Sequence, residues 1–186
     1  MRKILVLPFL LALVACSSQP ASNSSFLLRS DAQVQSRELR PSTEYTFGSL
    51  TVADYINNLG LVVETEDGEV REARNHRWAE PLATSIKSFL ASEISAQLGE
   101  DILVQGNAEA ATRIDVAIDQ LHGNTSGEAV LVAYWQLHSA TAEKRVFQFA
   151  ETEALQSDGY PALAAAEKRL LLRLALQIAG KLGAAN

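Results

Sequence analysis

The chain has a single cysteine, Cys16, and that scarcity excludes a disulfide framework, since a bridge within the chain needs two thiols and the folded part must rely on a packed core. Basic clusters are also missing. Sixteen Lys and Arg stand against 22 Asp and Glu, a formal net charge of −6, and with no Lys/Arg patch to neutralise phosphates nucleic acid is excluded as a partner. No apolar run reaches the about 20 residues that a membrane-spanning helix needs. The motifs of catalysis are absent too: no Gly-x-Ser-x-Gly turn, no phosphate loop, no His-Glu-x-x-His pair and no glycine-rich dinucleotide turn. The histidines His76, His122 and His138 fall on different segments without ligand spacing, so they read as loop and strand-end residues, no metal site is expected, and nothing asks for a cofactor. Asp115 and Asp119 lie four apart on one strand, ~13 Å at the strand rise, too far for paired-carboxylate chemistry, and read as a solvated face. Arg71, Arg74 and Arg77 beside Glu69, Glu72 and Glu80 read as a mixed-sign surface around a hairpin.

What is present begins at the amino terminus. Arg2 and Lys3, then an apolar run from Ile4 to Val14 broken only by Pro8, then small Ala15 are the three parts of a secretory signal. The end of that signal, Leu13, Val14, Ala15 and Cys16, resembles a bacterial lipobox. In that reading the Cys16 thiol takes a diacylglyceryl group through a thioether, the peptide bond before it is cut, and the new amino terminus takes a further acyl chain such as palmitate. At ~0.8 kcal/mol per buried methylene, one chain holds marginally and two hold firmly. The other reading is an ordinary secretion signal with an incidental cysteine. Lipoproteins with Asp just after the cysteine tend to stay in the inner membrane, so Ser17 points to the outer membrane. Loss of Arg2 and Lys3 with the signal leaves the mature chain two units more negative, so attachment must come from lipid and not from charge. The expected divisions are residues 1–15 as signal, 16–25 as lipidated cysteine and serine-rich tether, and 26–186 as one folded domain.

Within that domain the apolar pattern alternates between strand and helix periods. Short strands are expected at Phe26 to Leu28, on either side of Gly48 (a bulge or close backbone approach), at Leu61 to Thr65, and at Val70 to about Asn75, the last two joined by a two-residue turn at Asp67 and Gly68. From Ser30 to Ser42 no core signal appears, and a loop is expected. Pro81 opens a helix in which Leu82, Ile86, Phe89, Leu90, Ile94 and Leu98 recur at helical spacing until Gly99. A brief strand from Ile102 to Val104 and a loop to Ala110 follow. Next come a strand from Arg113 with Ile114, Val116 and Ile118 facing in, a strand from Ala129 to His138 that is apolar on both parities and so expected to be covered on both faces, and a strand from Arg145 to Thr152. After Gly159, Pro161 opens a last helix whose apolar residues exceed one stripe. Leu171, Leu172 and Leu176 widen it, either as an interface for a homo-oligomer or as core buried within one chain. The sum is an α+β fold with a largely antiparallel sheet, two long amphipathic helices and a single domain.

Asn75, His76, Arg77, Trp78, Ala79, Glu80, Pro81 and Leu82, followed by the first helix, resemble the signature of the ABC-type transport auxiliary lipoproteins, the Pqi-type family of paraquat-inducible operons. Ala53 to Ile56 before Leu61 to Val63, and Leu121, His122 and Gly123 with Gly127 and Trp135, resemble that family's next motifs in the right order. The resemblance implies a non-enzymatic lipoprotein that faces the periplasm, and with Ser17 the expected place is the periplasmic face of the outer membrane. Its implied partners are an MCE-domain protein that bridges the two membranes to move lipid and a permease-like membrane component. The family carries no active site to transfer. Trp78, Glu80 and Pro81 match its signature either as partner contacts or, as their chemistry favours, as structure: Trp78 buried and Pro81 opening the helix. The stretch from Ser30 to Ser42 departs from the family pattern. A second reading is a structural envelope lipoprotein that self-assembles or binds peptidoglycan, and a third is a periplasmic hydrolase.

Overall fold

The computed structural model of the chain describes residues 23–31, 38, 40–103, 112–140 and 142–183. The signal, Cys16, Ser17, most of the tether, Val104 and the loop at 105–110 lie outside the described residues. In chain order the elements are β1 (Ser24–Phe26), β2 (Tyr45–Val52), β3 (Gly60–Glu64), β4 (Val70–Trp78), α1 (Leu82–Leu98), β5 (Thr112–Gly123), β6 (Glu128–His138), β7 (Arg145–Ala154) and α2 (Tyr160–Gly183), with a 3-10 turn at Asp54–Ile56 between β2 and β3. The strands form one sheet in the order β1-β4-β3-β5-β6-β7, and β2 also pairs with β5. β6 runs antiparallel along one edge of β5. The other edge is shared, by β2 along residues 112–118 and by β3 at Gly123.

The sheet is mostly antiparallel, as expected, with parallel pairs that the sequence did not suggest. The hairpin partners β3–β4, β5–β6 and β6–β7 are antiparallel, whereas β1–β4, β2–β5 and β3–β5 are parallel. A short turn reverses the chain, but β2 and β5 are separated by β3, β4 and α1, and a strand returning after a helical crossover enters the sheet from the same end.

Both helices pack on one face. α2 lies across β5, β6 and β7, and α1 lies against β2 and α2. Beneath them Ile114, Val116, Ile118 and Leu121 of β5 and Leu131, Ala133, Trp135 and Leu137 of β6 are buried, and the helices contribute Ile86, Phe89, Leu90, Ile94, Leu170, Leu174 and Ile178, all at 0–1% exposure. Trp135 stacks on Phe147 of β7 with ring centroids 4.0 Å apart. The edge strand is clamped from above, where Arg169 Nε donates to Glu153 (2.6 Å) and Arg173 bridges Glu151 and Glu153 (2.6 and 2.7 Å). Among the described residues neither α1 nor α2 lies on the opposite face of the sheet.

That one-sidedness overturns several local expectations. β6 is covered on one face only: Tyr134 is 43% exposed, and Val130 and Val132 are partly exposed. Its apolar outward residues reflect strand propensity and not burial. Leu171 is fully buried inside the chain, Leu172 is half-buried and Leu176 is exposed, so Leu171 is core and not interface. The first strand begins at Ser24, inside the segment expected as tether, while Leu28 beyond it is buried. β4 continues to Trp78 because β1 supplies a partner as far as Trp78. In place of a strand from Ile102 there is an isolated bridge between Pro41 and Asp101, with Ile102 fully buried beside it. Of the loop expected from Ser30 to Ser42, residues 32–37 and 39 lie outside the described residues, and at its two ends Ser30 and Ser42 are buried, the Ser42 hydroxyl accepting from Tyr45 N–H at 3.1 Å. The β3–β4 turn spans Glu66, Asp67 and Gly68 between the bonded pair Thr65 and Glu69, one residue longer than expected, and Gly68 takes φ 74°, a left-handed position that glycine occupies without strain.

Truncating Leu171 to Ala should cost about 2–5 kcal/mol by leaving a cavity, and truncating Leu176 to Ala should cost less than about 0.5 kcal/mol as a surface change. Urea unfolding of the two variants checks this. Equal, small losses would contradict the insertion of α2 into the core.

Candidate functional site

The signature residues come together where β1, β3, β4 and α1 meet. Trp78 is 3% exposed, its N–H donates to Leu59 O at 2.6 Å, and its register partner is Phe26 of β1. Ala79 N–H then reaches Phe26 O at 2.8 Å, which ties the end of β1 to the approach to α1. Glu80 takes the Arg29 guanidinium as an ion pair and the Ser85 hydroxyl at 3.4 Å, and the Arg29 hydrogen bond holds its carboxyl below the ordinary value. Pro81 occupies the cap position just before α1, one place earlier than expected, and its carbonyl accepts from Ser85 N–H at 3.0 Å. The indole of Trp78 has no surface to offer a partner. Glu80 and Arg29 keep about two-fifths of their side chains in solvent.

A second constellation lies on the open face of the sheet. Asp115, expected on a wet face, is 5% exposed. Its Oδ1 accepts from Ser49 N–H (2.7 Å) and Ser49 Oγ (2.8 Å), and its Oδ2 accepts from Arg113 Nε (3.0 Å). Burial pushes the Asp115 carboxyl up, but the Ser49 hydrogen bonds and the Arg113 charge outweigh it and leave it below its usual range. Gly48 lets β2 come this close: a Cβ there would collide with Asp115 Oδ1 and the Arg113 side chain, and the β2–β5 register slips between Phe47 and Leu50. Both the bulge and the close approach are present. His138 Nε2 stands 3.4 Å from Asp115 Oδ2 without making a hydrogen bond. Serine, aspartate and histidine in contact invite comparison with a nucleophile triad, yet the order is wrong for one. A base must accept the serine proton and a carboxylate must orient the base, whereas here the carboxylate sits between the two and Ser49 donates to it. The group locks the β2 bulge onto β5, beside a 160 Å³ cleft bordered by Tyr134, Gln136 and Val146. Asp119 is exposed and takes no part.

The remaining histidines are apart. His76 stacks on Tyr160 at 4.5 Å between ring centroids, and His122 is 3% exposed with Nδ1 at 3.0 Å from Gly123 O. Among the described residues no group of three or more His, Cys, Asp or Glu side chains could hold a metal ion. Of the three acids beside the β4 arginines, Glu69 pairs with Arg71 (3.0 Å), Glu72 accepts from Gly60 N–H (3.1 Å) and Glu80 goes to Arg29, so Arg74 and Arg77 have no carboxylate partner among the described residues.

Sequence reasoning passed over Glu167. It lies on α2 four residues after Leu163 and four before Leu171, on the helix's apolar stripe, and that spacing was the available signal. The side chain is 1% exposed, neither carboxylate oxygen has a hydrogen-bond partner among the described residues, and burial pushes its pKa up to about 8.

A model of the family described as "ABC-type transport auxiliary lipoprotein component" matches residues 26–179. Over 164 residues, 86% of either chain, the sequence is 29% identical to the intermembrane transport lipoprotein PqiC of Escherichia coli strain K12, and likewise to PqiC of Shigella flexneri. A crystal structure of an uncharacterized protein superimposes with a TM-score of 0.75 at 22% identity, covering 87% of this chain and 99% of that one. A Xanthomonas campestris protein superimposes with a TM-score of 0.56 at 15% identity, covering 81% and 97%. At these identities the two structures show the shared fold alone.

Because the Glu167 pKa is raised on folding, the native state retains a proton that the unfolded chain loses above about pH 4.5, and stability falls by ~1.4 kcal/mol per pH unit until the folded group ionises near pH 8. Glu167→Leu should therefore raise stability at pH 7 by about 1–3 kcal/mol and flatten its decline between pH 5 and 8. Denaturant melts across that range read both effects, and an unchanged slope would show Glu167 to be paired or hydrated. Gly48→Ala should cost about 1–3 kcal/mol by forcing Asp115 from its site, whereas Gly68→Asn, at an open turn, should cost well under about 1 kcal/mol.

Proposed function

The chain belongs to the family of ABC-type transport auxiliary lipoprotein components, and from that premise we propose that it is a lipid-anchored, non-catalytic accessory subunit of an MCE-type system moving lipid between membranes, held at the periplasmic face of the outer membrane. The observation that carries this reading is the family match over residues 26–179, directly behind Leu13, Val14, Ala15 and Cys16. The PqiC relatives, named as intermembrane transport lipoproteins, support it. No helix among the described residues is long and apolar enough to cross a membrane. In this reading the acyl chains on Cys16 provide the attachment and Ser17 directs it to the outer membrane. The folded domain is then a module for protein contacts, its partners an MCE-domain protein and the permease-like component. Glu80 of the signature remains accessible for such contacts, while Trp78 and Pro81 build the junction beneath it.

Self-association also belongs to the proposal, though α2 supplies little of the surface for it. With Leu171 in the core, the helix presents Leu176 and part of Leu172, far short of the about 800 Å² per partner of a stable interface. Other surface must carry a homo-oligomer.

Affinity purification from membranes should co-elute the MCE-domain protein encoded with this chain, and clean separation of the two across salt conditions would sink the docking proposal. Cys16→Ala should leave a full-length precursor that retains Arg2 and Lys3, since lipidation precedes cleavage, and a mass spectrum of the intact protein reads this directly. Ser17→Asp should shift the mature protein toward the inner membrane on a density gradient. An unmoved protein would count against sorting by Ser17.

A further inference from the structure

The edge of the sheet where the tether enters has a composition unlike the rest of this acidic chain. β1 is the outermost strand, with Ser25 opposite Arg77 and Phe26 opposite Trp78 on β4. Just past its end Leu27 is 62% exposed, one of the two most exposed large apolar side chains among the described residues; the other is Val146, also 62% exposed. Beside it a 560 Å³ cleft between β3 and β4 is lined by Arg74, Arg77 and Leu59, the last 38% exposed. The nearby acids are engaged: Glu69 by Arg71, Glu80 by Arg29, and Glu72, which also lines the cleft, by the Gly60 amide. Two guanidiniums without a carboxylate partner among the described residues, Arg77 donating to the Arg74 carbonyl at 3.3 Å, thus lie at one end of the sheet with two exposed leucines. Cations over apolar side chains suit a bilayer interface, where acyl-chain contact and anionic headgroups lie within a few ångströms of each other.

The point of attachment singles out one edge of the domain. From Cys16 to the first residue of β1 there are eight residue steps, at most about 28 Å of extended chain. A domain of this size is roughly 40 Å across. Val146 lies on β7, at the opposite edge, five strand spacings or roughly 24 Å from β1. The chain from Cys16 joins the domain at β1, so the β1 edge is the one attached beside the point where the acyl chains enter lipid, and the β7 edge is five strands further away. We propose that the β1–β4 edge, with Leu27 at its tip and the Arg74–Arg77 cleft beside it, docks on anionic phospholipid headgroups of the bilayer that holds the Cys16 anchor, and so fixes the orientation in which the domain meets its partners. This rests on the lipid anchoring proposed above.

The test uses the full-length acylated protein in vesicles of phosphatidylethanolamine with and without phosphatidylglycerol. A photo-crosslinking amino acid replaces Leu27 in one sample and the equally exposed Val146 in another, and thermal melts match both to the parent. Phospholipid adducts should form at position 27 and stay at background at 146, and phosphatidylglycerol should raise the yield at 27. Arg74→Glu with Arg77→Glu should lower that yield by about fivefold per arginine. Equal labelling at both positions, or a yield at 27 indifferent to the double charge reversal, overturns the docking. The mass of the amino-terminal peptide separates the two readings: an acylated Cys16 without an adduct at 27 refutes the docked orientation alone, and an unmodified Cys16 refutes the anchoring and the docking with it.

Discussion

Burial of two helices against one face of a single sheet is the constraint from which the rest of this structure follows. β5 stands at its centre because both of its edges are occupied, one by β6 and the other by β2 and β3 in succession. Its inward side chains, Ile114, Val116, Ile118 and Leu121, form the floor on which α1 and α2 rest. With a single cysteine in the sequence, Cys16, no disulfide within the chain assists, and closure of this layer is left to apolar area and the arginine clamp from α2 to β7. The same constraint leaves the other face of the sheet open. Its residues are a mixture of small, polar and partly exposed apolar side chains, and the one nearly buried acid on it, Asp115, is secured by Ser49 and Arg113.

Charge in this protein is placed more selectively than its net value suggests. Most carboxylates near arginines are consumed locally, in pairs that hold β1 to α1 through Arg29 and Glu80 or α2 to β7 through Arg173 and Glu153. Exposed pairs of this kind contribute little to stability, but they remove the acids from play and leave Arg74 and Arg77 as a local positive site in an acidic chain. Glu167 is the opposite case. An acid in the core without a partner weakens the fold as pH rises, and the surrounding leucine packing has to offset it.

In the proposed function, these features divide the molecule by role. The amino-terminal edge, with the signature junction behind it, faces the membrane. The junction is rigid because Trp78, Phe26, Leu59 and Pro81 are locked by backbone hydrogen bonds and packing. An accessory subunit that must present one surface to a bridging assembly gains from such rigidity, because a fixed orientation reduces the entropy lost on docking.

How much of this was legible in the sequence depends on the range of the interaction. The amphipathic helices, the hairpins and the inward alternation of β5 followed from periodicity, because burial of one face is written locally in every second or every third to fourth residue. The signature residues of the family were legible for the same reason, being short and contiguous. Pairing between distant strands was not legible: nothing local to β2 or β1 says that each lies parallel to a strand reached only after a long excursion, so the mixed sheet and the true start of β1 emerged only from the assembled sheet. Coverage was likewise decided in three dimensions. The apolar residues of β6 and α2 look alike in sequence, yet β6 has one face in solvent while Leu171 is fully buried, because both helices chose the same side of the sheet. The sequence by itself determined which residues were apolar and at what period, along with the motifs that mark the family. Which apolar residues found partners, which acids met which arginines, and therefore why Arg74 and Arg77 have no carboxylate and Glu167 no hydrogen-bond partner among the described residues, was settled by the assembled fold, since those outcomes depend on contacts between segments far apart in the chain.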